Sequence, residues 1–265
     1  MTTALPFTPR KSLGQHFLCD PNVARRIVSA LRAPVAAPVV EIGPGTGALT
    51  GLLAERFSSF AAIEIDKRAV EFMRKEHPGV NVWHVDVLEA DFGTLSDELG
   101  GPLHVIGNLP YNVTSPILFK LLQSSGAVCE AVLLMQREVA ERIVATPRTK
   151  AYGAPSVLIQ LCARPELLFS VSRNVFKPKP AVESAVLRLD FDCTEVGVDR
   201  VHLTNVVRAA FSTRRKMLRN CLATWTKRGV DLPNGVGEKR AEELPPTSFV
   251  ELARTLPPID ADSCS

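Results

Sequence analysis

Short apolar runs alternate with longer amphipathic stretches along most of the chain. The apolar runs occupy residues 39–42, 61–66, 80–87, 105–107 and 131–136. Strands that alternate with helices predict an α/β fold built on a parallel sheet. Two later apolar runs, at residues 166–171 and 184–189, predict a final pair of strands arranged like a hairpin despite the long segment between them.

The clearest predicted helix follows the first turn of the chain. Apolar residues recur at helical spacing from Val23 to Leu31, and Asp20 and Pro21 suit a cap and a first-turn position. This pattern predicts a helix over residues 21–32. Further helices are predicted over residues 115–123, 137–144 and 156–163, and from about residue 195 the pattern is helical with no further strands.

Three predicted strands end in groups that suit a nucleotide. Gly43 and Gly45 form a glycine turn after the first strand, Glu64 lies at the tip of the second, and Asp86 ends the third. Carboxyl ends of parallel strands are where open sheets bind ligands. Glu64 could accept hydrogen bonds from ribose hydroxyls and Asp86 one from an adenine amino group. The glycine pattern alone would equally suit a dinucleotide.

The fourth strand runs directly into the tetrad Asn108-Leu109-Pro110-Tyr111. The amide of Asn108 offers an acceptor oxygen, Pro110 fixes the following turn, and Tyr111 has a flat face large enough for a nucleobase. The tetrad therefore suits a site that presents a nitrogen to an electrophile. An ordinary strand end is the alternative, with Asn108 capping the next helix and Tyr111 filling the core.

Phe176 lies in a proline-rich loop at residues 174–180. Prolines stiffen the loop, so that Phe176 would lose less entropy on stacking against a base. Phe176 could instead fill the core beneath the loop.

Charge is distributed unevenly. The net charge of the 265 residues is only +3, but residues 200–228 contain eight Lys or Arg and no Asp or Glu. Eight charges of one sign are unusual for a merely solvated face, and phosphate contact is the favoured use. The residues expected to contact RNA are Arg214, Arg215, Lys216 and Arg219.

The composition of the chain limits the classes of protein to which it can belong. A chain with 46% hydrophobic and 22% charged residues can form one large domain and one small one. Its six cysteines lack metal-ligand spacing and are expected to be reduced thiols. No signal peptide or membrane-spanning run is predicted, so we expect a protein of the cytoplasm, or of an organellar matrix if a transit segment has been removed.

Several of these motifs resemble one family. The tetrad is similar to the Asn-Leu-Pro-Tyr motif of the ribosomal RNA adenine N6,N6-dimethyltransferases, which are relatives of the macrolide-resistance methylases. Residues 14–18 resemble the family's N-terminal cofactor-closing motif, with His16 where Asn is commoner. The loop at residues 174–180 resembles its second substrate loop. The run at residues 210–216 resembles the C-terminal domain of the ribosomal dimethylases rather than that of the resistance methylases.

The resemblance implies a seven-stranded, mostly parallel, Rossmann-like methyltransferase domain at residues 1–192 and a basic helical RNA-binding domain at residues 193–265. It implies S-adenosylmethionine as cofactor and no metal. The implied cofactor-binding residues are Gln15, His16, Leu18, Gly43, Gly45, Glu64, Asp86 and Asn108. The implied catalytic residues are Asn108, Leu109, Pro110, Tyr111 and Phe176.

The implied substrate is a pair of adjacent adenosines in a hairpin loop near the 3′ end of small-subunit rRNA. Asn108 and the Leu109 carbonyl would accept the two N–H groups of the adenine, and Tyr111 and Phe176 would sandwich its ring. The expected partner is the assembling small ribosomal subunit, and the enzyme is expected to act as a monomer.

Three rival functions stay open at this point. A dehydrogenase would use the same glycine loop, although no nicotinamide-side catalytic set is present. A resistance-type methylase acting on large-subunit rRNA shares the reaction, but the basic C-terminal run argues against it. A non-catalytic assembly or transcription factor could share the fold, but such a protein could lose the tetrad, and this chain keeps it.

Overall fold

The computed structural model describes residues 5–191 and 197–258. These residues form a seven-stranded sheet and a separate two-stranded ladder. The strands are β1 (Phe17–Leu18), β2 (Val39–Ile42), β3 (Phe60–Glu64), β4 (Asn81–His84), β5 (Leu103–Asn108), β6 (Val128–Gln136), β7 (Arg164–Val171), β8 (Phe176–Lys177) and β9 (Ser184–Asp190).

The large sheet has the order β4-β3-β2-β5-β6-β9-β7. Strands β2 to β6 pair in parallel, and β9 is antiparallel to both β6 and β7. The predicted seven-stranded, mostly parallel sheet and its final antiparallel pair are therefore confirmed. Because five strands point the same way, their carboxyl ends meet along one edge of the sheet.

The helices are α1 (Pro21–Ala30), α2 (Thr50–Arg56), α3 (Lys67–Glu76), α4 (Phe92–Leu99), α5 (Thr114–Gln123), α6 (Arg137–Ile143), α7 (Ala154–Gln160), α8 (Arg200–Ala210), α9 (Leu218–Cys221), α10 (Ala223–Thr226) and α11 (Pro246–Thr255). At the start of α1, the Asp20 carboxylate accepts hydrogen bonds from the backbone N–H groups of Asn22 and Val23, at 2.8 and 3.2 Å. The predicted cap is thus confirmed, while the helix ends at Ala30 rather than at residue 32.

The core of the sheet is buried on both faces. Every residue of β2 is buried, as are Ile106, Val132 and Leu134 of β5 and β6. Ile27 and Val28 of α1 belong to the same apolar cluster. Packing of this kind fixes the strands, and with them the side chains at the strand ends.

The chain divides into two compact units, Met1–Ala140 with Arg164–Cys193, and Glu141–Ala163 with Thr194–Ser265. The sequence placed one boundary at residues 192/193, which lies outside the described residues, and did not indicate that residues 141–163 belong with the second unit. The physical reason is packing, since α7 contacts α8 and α11 within that unit. The hydroxyl of Tyr152 also donates to the Leu244 carbonyl at 2.8 Å.

From residue 197 to residue 258 the regular elements are helices and none is a strand, as predicted. His202 of α8 lies with Nε2 at 2.9 and 2.7 Å from the carbonyl oxygens of Ala253 and Leu256, at the end of α11. The basic run differs from its prediction, because residues 211–217 form a loop rather than a helix. No helix among the described residues is long and apolar enough to cross a bilayer.

Candidate active site

A cleft of about 280 Å³ opens at the carboxyl ends of the strands of the first unit. The carboxyl ends of four strands, β2 to β5, and the segment before β1 form its walls. Its lining residues are Ser12, Leu13, Gly14, Gln15, His16, Phe17, Ile42, Gly43, Gly45, Ile63, Glu64, Ile65, Val85, Asp86, Val87, Leu88, Asn108, Leu109, Pro110, Asn112, Val113 and Ile117. The cleft thus brings together residues that are distant in sequence but were assigned to one cofactor site.

The glycine loop after β2 lines the cleft with backbone that carries no side chains at Gly43 and Gly45. Gly43 and Gly45 have φ angles of 67° and 54°, in the left-handed region that favours glycine. A Cβ at Gly45 would lie 2.8 Å from the ring of Phe17, whereas one at Gly43 would meet nothing within 4 Å. Gly45 therefore allows the N-terminal segment to pack over the loop, and Gly43 leaves room for a ligand.

Glu64 is the last residue of β3 and is 6% exposed. Its carboxylate accepts hydrogen bonds from the N–H groups of Gly45 and Asp66, at 3.1 and 2.8 Å. Burial raises the pKa of Glu64 above its ordinary value, against the opposing effect of these hydrogen bonds. Each oxygen has a second lone pair, so the carboxylate can still accept from a ligand.

Glu41 lies behind the cleft, in the middle of β2, and does not line it. It is 2% exposed, and the Thr50 hydroxyl donates to its carboxyl group at 2.7 Å. Burial raises the pKa of Glu41 to about 8, so the group is largely protonated at neutral pH.

Gln15 connects the N-terminal segment to the residues that follow β3. Its side-chain nitrogen donates to Asp66 at 3.0 Å, and its side-chain oxygen accepts from the Arg10 backbone N–H at 2.8 Å. Asp66 also pairs with Arg68, and hydrogen bonding from Arg68 lowers the pKa of Asp66 to about 2. Asp66 was not among the predicted site residues, although it lies only two positions after Glu64.

Asp86 lines the cleft from the turn after β4. The predicted strand was too long, because β4 ends at His84. One Asp86 oxygen accepts from the Leu88 N–H at 2.9 Å, so the turn orients the carboxylate. Val87, Leu88 and Ile65 supply apolar walls, and Ile65 is 48% exposed. None of these three apolar residues was predicted to line the site. Ile65 could have been, because it is an apolar residue next to Glu64 at the end of a predicted strand.

Asn108 ends β5 on the wall of the cleft. Its side-chain nitrogen donates to the backbone carbonyl of His16 at 2.8 Å. A carbonyl only accepts, so the amide nitrogen must face His16 and the amide oxygen must face the other way. The capping alternative does not apply, because the cap position of α5 is Val113.

Hydrogen bonds to β6 and α5 hold the backbone that follows Asn108. The N–H of Leu109 donates to the Leu134 carbonyl at 2.9 Å. The Pro110 carbonyl accepts from the Thr114 hydroxyl at 2.9 Å, at the start of α5. The Leu109 carbonyl accepts none of the hydrogen bonds found within residues 5–191 and 197–258.

Tyr111 is half-buried, and two side chains hold its ring. Its hydroxyl lies 2.6 Å from the Ser184 hydroxyl oxygen, and its ring centroid lies 5.2 Å from that of His16, with a 31° tilt. Burial raises the pKa of Tyr111, so the phenol stays neutral. His16 Nδ1 is in turn 2.7 Å from the Pro178 carbonyl oxygen.

Two predicted site residues lie in the core instead. Phe176 is 2% exposed and Leu18 is 4% exposed, and both belong to the cluster beneath the sheet. They are paired across the β1–β8 ladder. The stacking prediction for Phe176 therefore does not fit this structure, because its ring is already covered by apolar side chains. Leu18 likewise supports the cleft without lining it.

The four predicted RNA-contacting residues are exposed on the second unit. Arg214, Arg215 and Lys216 lie in the loop before α9, and Arg219 is in α9. Arg214 is partly engaged, because its Nε donates to Glu242 at 2.8 Å and its Nη2 to the Thr149 carbonyl at 3.3 Å.

Comparison with known proteins identifies relatives of this chain. Residues 7–256 match the family model described as "Ribosomal RNA adenine dimethylase". A "Ribosomal RNA small subunit methyltransferase A" of Salinibacter ruber is 54% identical over 97% of this chain and 88% of its own length. Another of that name, from Prosthecochloris aestuarii, is 41% identical over 94% of this chain and 95% of its own length.

Solved structures agree on the fold. A "dimethyladenosine transferase from Plasmodium falciparum" has a TM-score of 0.76 at 24% identity, covering 89% of this chain and 96% of its own. The "23S rRNA methyltransferase ErmE" has a TM-score of 0.66 at 25% identity, covering 91% and 99%. The family model spans nearly the whole chain and includes both the cleft and the basic loop. The chain belongs to the ribosomal RNA adenine dimethylase family.

Proposed function

We propose that this protein transfers methyl groups from S-adenosylmethionine to N6 of two adjacent adenosines in a hairpin loop near the 3′ end of small-subunit rRNA, giving N6,N6-dimethyladenosines. The observation that carries the proposal is the Asn108 amide. Its nitrogen is committed to His16, and its acceptor oxygen is left for a ligand at a nucleotide-sized cleft. The 54% identical relative supports the choice of rRNA.

The residues of the cleft fit S-adenosylmethionine. Glu64 has acceptor capacity for ribose hydroxyls, and Asp86 has one carboxylate oxygen outside its turn. Ile65, Val87 and Leu88 offer apolar surface to an adenine ring. Gly43 leaves space where any side chain would project. When bound there, the cofactor supplies a methyl group activated by its sulfonium.

Asn108 and Leu109 would hold the target amine. The lone pair of an adenine amino group is delocalised into the ring, so the nitrogen is a poor nucleophile. Two acceptors for its N–H groups favour a pyramidal nitrogen with its lone pair available. The Asn108 oxygen and the Leu109 carbonyl are adjacent in the chain and are held by separate hydrogen bonds. Such fixed acceptors act chiefly by positioning and by stabilising developing charge.

Tyr111 would stack on the target base. Its ring is oriented by Ser184 and by the ring of His16, so little rotamer entropy is lost when a base binds. Stacking on an aromatic side chain contributes ~1–3 kcal/mol per base. His16, rather than Phe176, is the second ring beside Tyr111. We assign His16 to the base side of the cleft as well as to its closing segment.

The exposed basic loop would contact the rRNA backbone. Arg215 and Lys216 are both exposed, whereas Arg214 must exchange Glu242 for a phosphate. The partner is the assembling small ribosomal subunit, and the protein would act there as a monomer. The compartment would be the cytoplasm, or an organellar matrix.

Methylation of large-subunit rRNA is the second candidate, and the ErmE similarity favours it. That similarity is 25% identity, against 54% to a small-subunit enzyme. A non-catalytic factor would have no need of an oriented Asn108 amide.

The experiment is to incubate the protein with labelled S-adenosylmethionine and either undermethylated small subunits or large subunits. Nucleosides are then identified by mass spectrometry. Labelled N6,N6-dimethyladenosine from small subunits is the expected result. Label confined to large subunits would identify a resistance-type enzyme. Absence of label, with quenching of nicotinamide fluorescence, would identify a dehydrogenase.

A further inference from the structure

A second cluster of reactive side chains lies at the opposite end of the sheet from the cleft. His104 is the second residue of β5, and Cys129 and Glu130 are the second and third of β6. Because β5 and β6 are parallel, all three lie at the amino ends of their strands, whereas the cleft is at the carboxyl ends. The cluster is therefore separate from the proposed methyl-transfer site.

An irregularity in strand pairing brings the three side chains together. Neighbouring residues of a strand normally point to opposite faces, so one side chain should not meet both Cys129 and Glu130. The register shifts here, because Leu103 pairs with Val128 while His104 pairs with Glu130. Cys129 is thus the unpaired extra residue of a bulge, and bulges redirect side chains in this way.

His104 lies between the other two groups. Its Nδ1 is 2.9 Å from a carboxylate oxygen of Glu130, and its Nε2 is 3.4 Å from the sulfur of Cys129. Glu130 is 3% exposed and also accepts from the backbone N–H of Arg32, which fixes the carboxylate. The order is nucleophile, base and orienting acid, the arrangement that activates thiols in proteins.

The charge state of His104 favours the same chemistry. Burial opposes a charged ring, but the hydrogen bonds to Cys129 and Glu130 outweigh it and raise the pKa of His104 to about 9. A carboxylate only accepts, so Nδ1 carries one hydrogen and the second proton of the imidazolium lies on Nε2, facing the sulfur. The proton on Nε2 is thus placed to be given to a leaving thiolate when the Cys129 sulfur attacks a disulfide.

Two other described cysteines have different surroundings. The sulfur of Cys19 is 3.4 Å from the Phe17 carbonyl oxygen, and that of Cys221 is 3.5 Å from the Thr213 carbonyl oxygen. Cys129 also lies 3.4 Å from a carbonyl oxygen, that of Leu103, but adds the His104 contact. Cys19 is exposed and Cys129 is partly exposed, so accessibility alone would rank Cys19 as the more reactive.

We propose that Cys129 is a modification site, a nucleophilic thiol activated by His104 and Glu130 that forms mixed disulfides with small disulfide compounds. The Cys129 thiolate attacks one sulfur of the compound, a new sulfur–sulfur bond forms, and the original one breaks. The leaving thiolate takes the proton from His104 Nε2. One thiol and one disulfide are consumed and one of each is produced, so no further oxidant is needed.

The test is the rate of modification at each cysteine of the full-length protein. The protein is treated with 2-hydroxyethyl disulfide at pH 7, and adducts are quantified by peptide mass spectrometry. Activation predicts that Cys129 reacts ~10-fold faster than the more exposed Cys19. A Cys129 rate at or below that of Cys19 in the wild type overturns the proposal, and this comparison needs no variant.

Two variants test the mechanism. His104→Gln keeps a polar side chain but cannot carry the proton, so the Cys129 rate should fall ~10-fold while the Cys19 rate stays constant. Glu130→Gln should lower the Cys129 rate by less. Thermal unfolding identifies any variant that does not fold. An unchanged Cys129 rate in a folded His104→Gln protein also overturns the proposal.

Discussion

At the scale of single residues, the two ends of the Asn108 amide have different tasks. The nitrogen holds the N-terminal segment through His16, and we propose that the oxygen accepts a hydrogen bond from the substrate. The same side chain therefore contributes to the shape of the cleft and to the proposed chemistry. Its removal should affect the two to different extents.

We predict that Asn108→Ala lowers the single-turnover rate of methyl transfer by ~10²-fold, because it removes an acceptor used mainly in the transition state. Cofactor affinity, measured by calorimetry, should change far less. Asn112→Ala is the matched control, since Asn112 also lines the cleft but donates to the Ser12 carbonyl, at 3.3 Å. Equal losses in the two variants would contradict the assignment.

Glu64→Gln should weaken cofactor binding. The substitution keeps the shape of the side chain but removes the charge that strengthens hydrogen bonds from ribose hydroxyls, worth ~1.5–3 kcal/mol. The dissociation constant of S-adenosylmethionine should rise by ~10- to 100-fold. Glu89→Gln makes the same charge change on an exposed residue outside the cleft lining and should have no effect. If both variants bind like the wild type, Glu64 is not the ribose acceptor.

Tyr111→Ala should separate substrate binding from cofactor binding. Loss of one stacking face should slow transfer and increase the share of N6-monomethyladenosine, because the once-methylated base must bind again with one hydrogen fewer. Phe176→Leu is the control. It removes an aromatic ring from the core but keeps apolar volume, so the product ratio should remain that of the wild type. A raised monomethyl share in Phe176→Leu would restore Phe176 to the substrate site.

At the scale of elements, the basic loop before α9 offers a test of RNA binding. Neutralising Arg215 and Lys216 together should lower affinity for rRNA and reduce the slope of log affinity against log salt by roughly one per lost phosphate contact. Lys67 and Lys75, which are 76% and 82% exposed at their side chains on the first unit, give a control double variant with the same charge change. Matching salt slopes for the two double variants would mean that the loop is only a solvated surface.

Strand ends and caps could be predicted from sequence because they depend on near neighbours. Asp20 caps α1 through residues two and three positions away, and Glu64 is the last residue of its strand. The glycine loop is also local. Alternation of strands and helices then determined the sheet, since parallel strands need crossover helices.

Burial set by distant partners could not be predicted in this way. Phe176 is covered through its pairing with Leu18, which no local pattern reveals. The basic run could not be assigned to a loop from its sequence, because its apolar residues have helical spacing. In the structure the chain turns there, and the Lys216 N–H donates to the Thr213 carbonyl. Residues 141–163 join the second unit through packing on α8 and α11, again a long-range effect.

At the scale of the whole molecule, buried Glu41 makes folding stability depend on pH. Its pKa is raised from 4.5 to about 8, so the folded state retains a proton that the unfolded chain releases within this interval. Stability contributed by the protonated form is therefore complete below pH 4.5, is lost as pH rises through the interval, and changes no further above pH 8.

Glu41→Gln imitates the protonated form at every pH. Its unfolding free energy is measured in urea and compared with that of the wild type. The difference, variant minus wild type, should increase as pH rises from 5 to 8, with a slope of at most about 1.4 kcal/mol per pH unit. Glu89→Gln should track the wild type over the same range. A constant difference between Glu41→Gln and wild type would mean that Glu41 is ionised in the folded protein.

The ladder between β1 and β8 has a consequence for how cofactor binding and rRNA binding affect each other. It joins the segment that lines the cleft to the loop before β9, and two further contacts reinforce it, from Cys19 N–H to the Val175 carbonyl and between His16 and Pro178. Ligands on either segment must then share the cost of ordering the same backbone. Thermodynamic reciprocity requires that if cofactor tightens rRNA binding by some factor, rRNA tightens cofactor binding by that same factor.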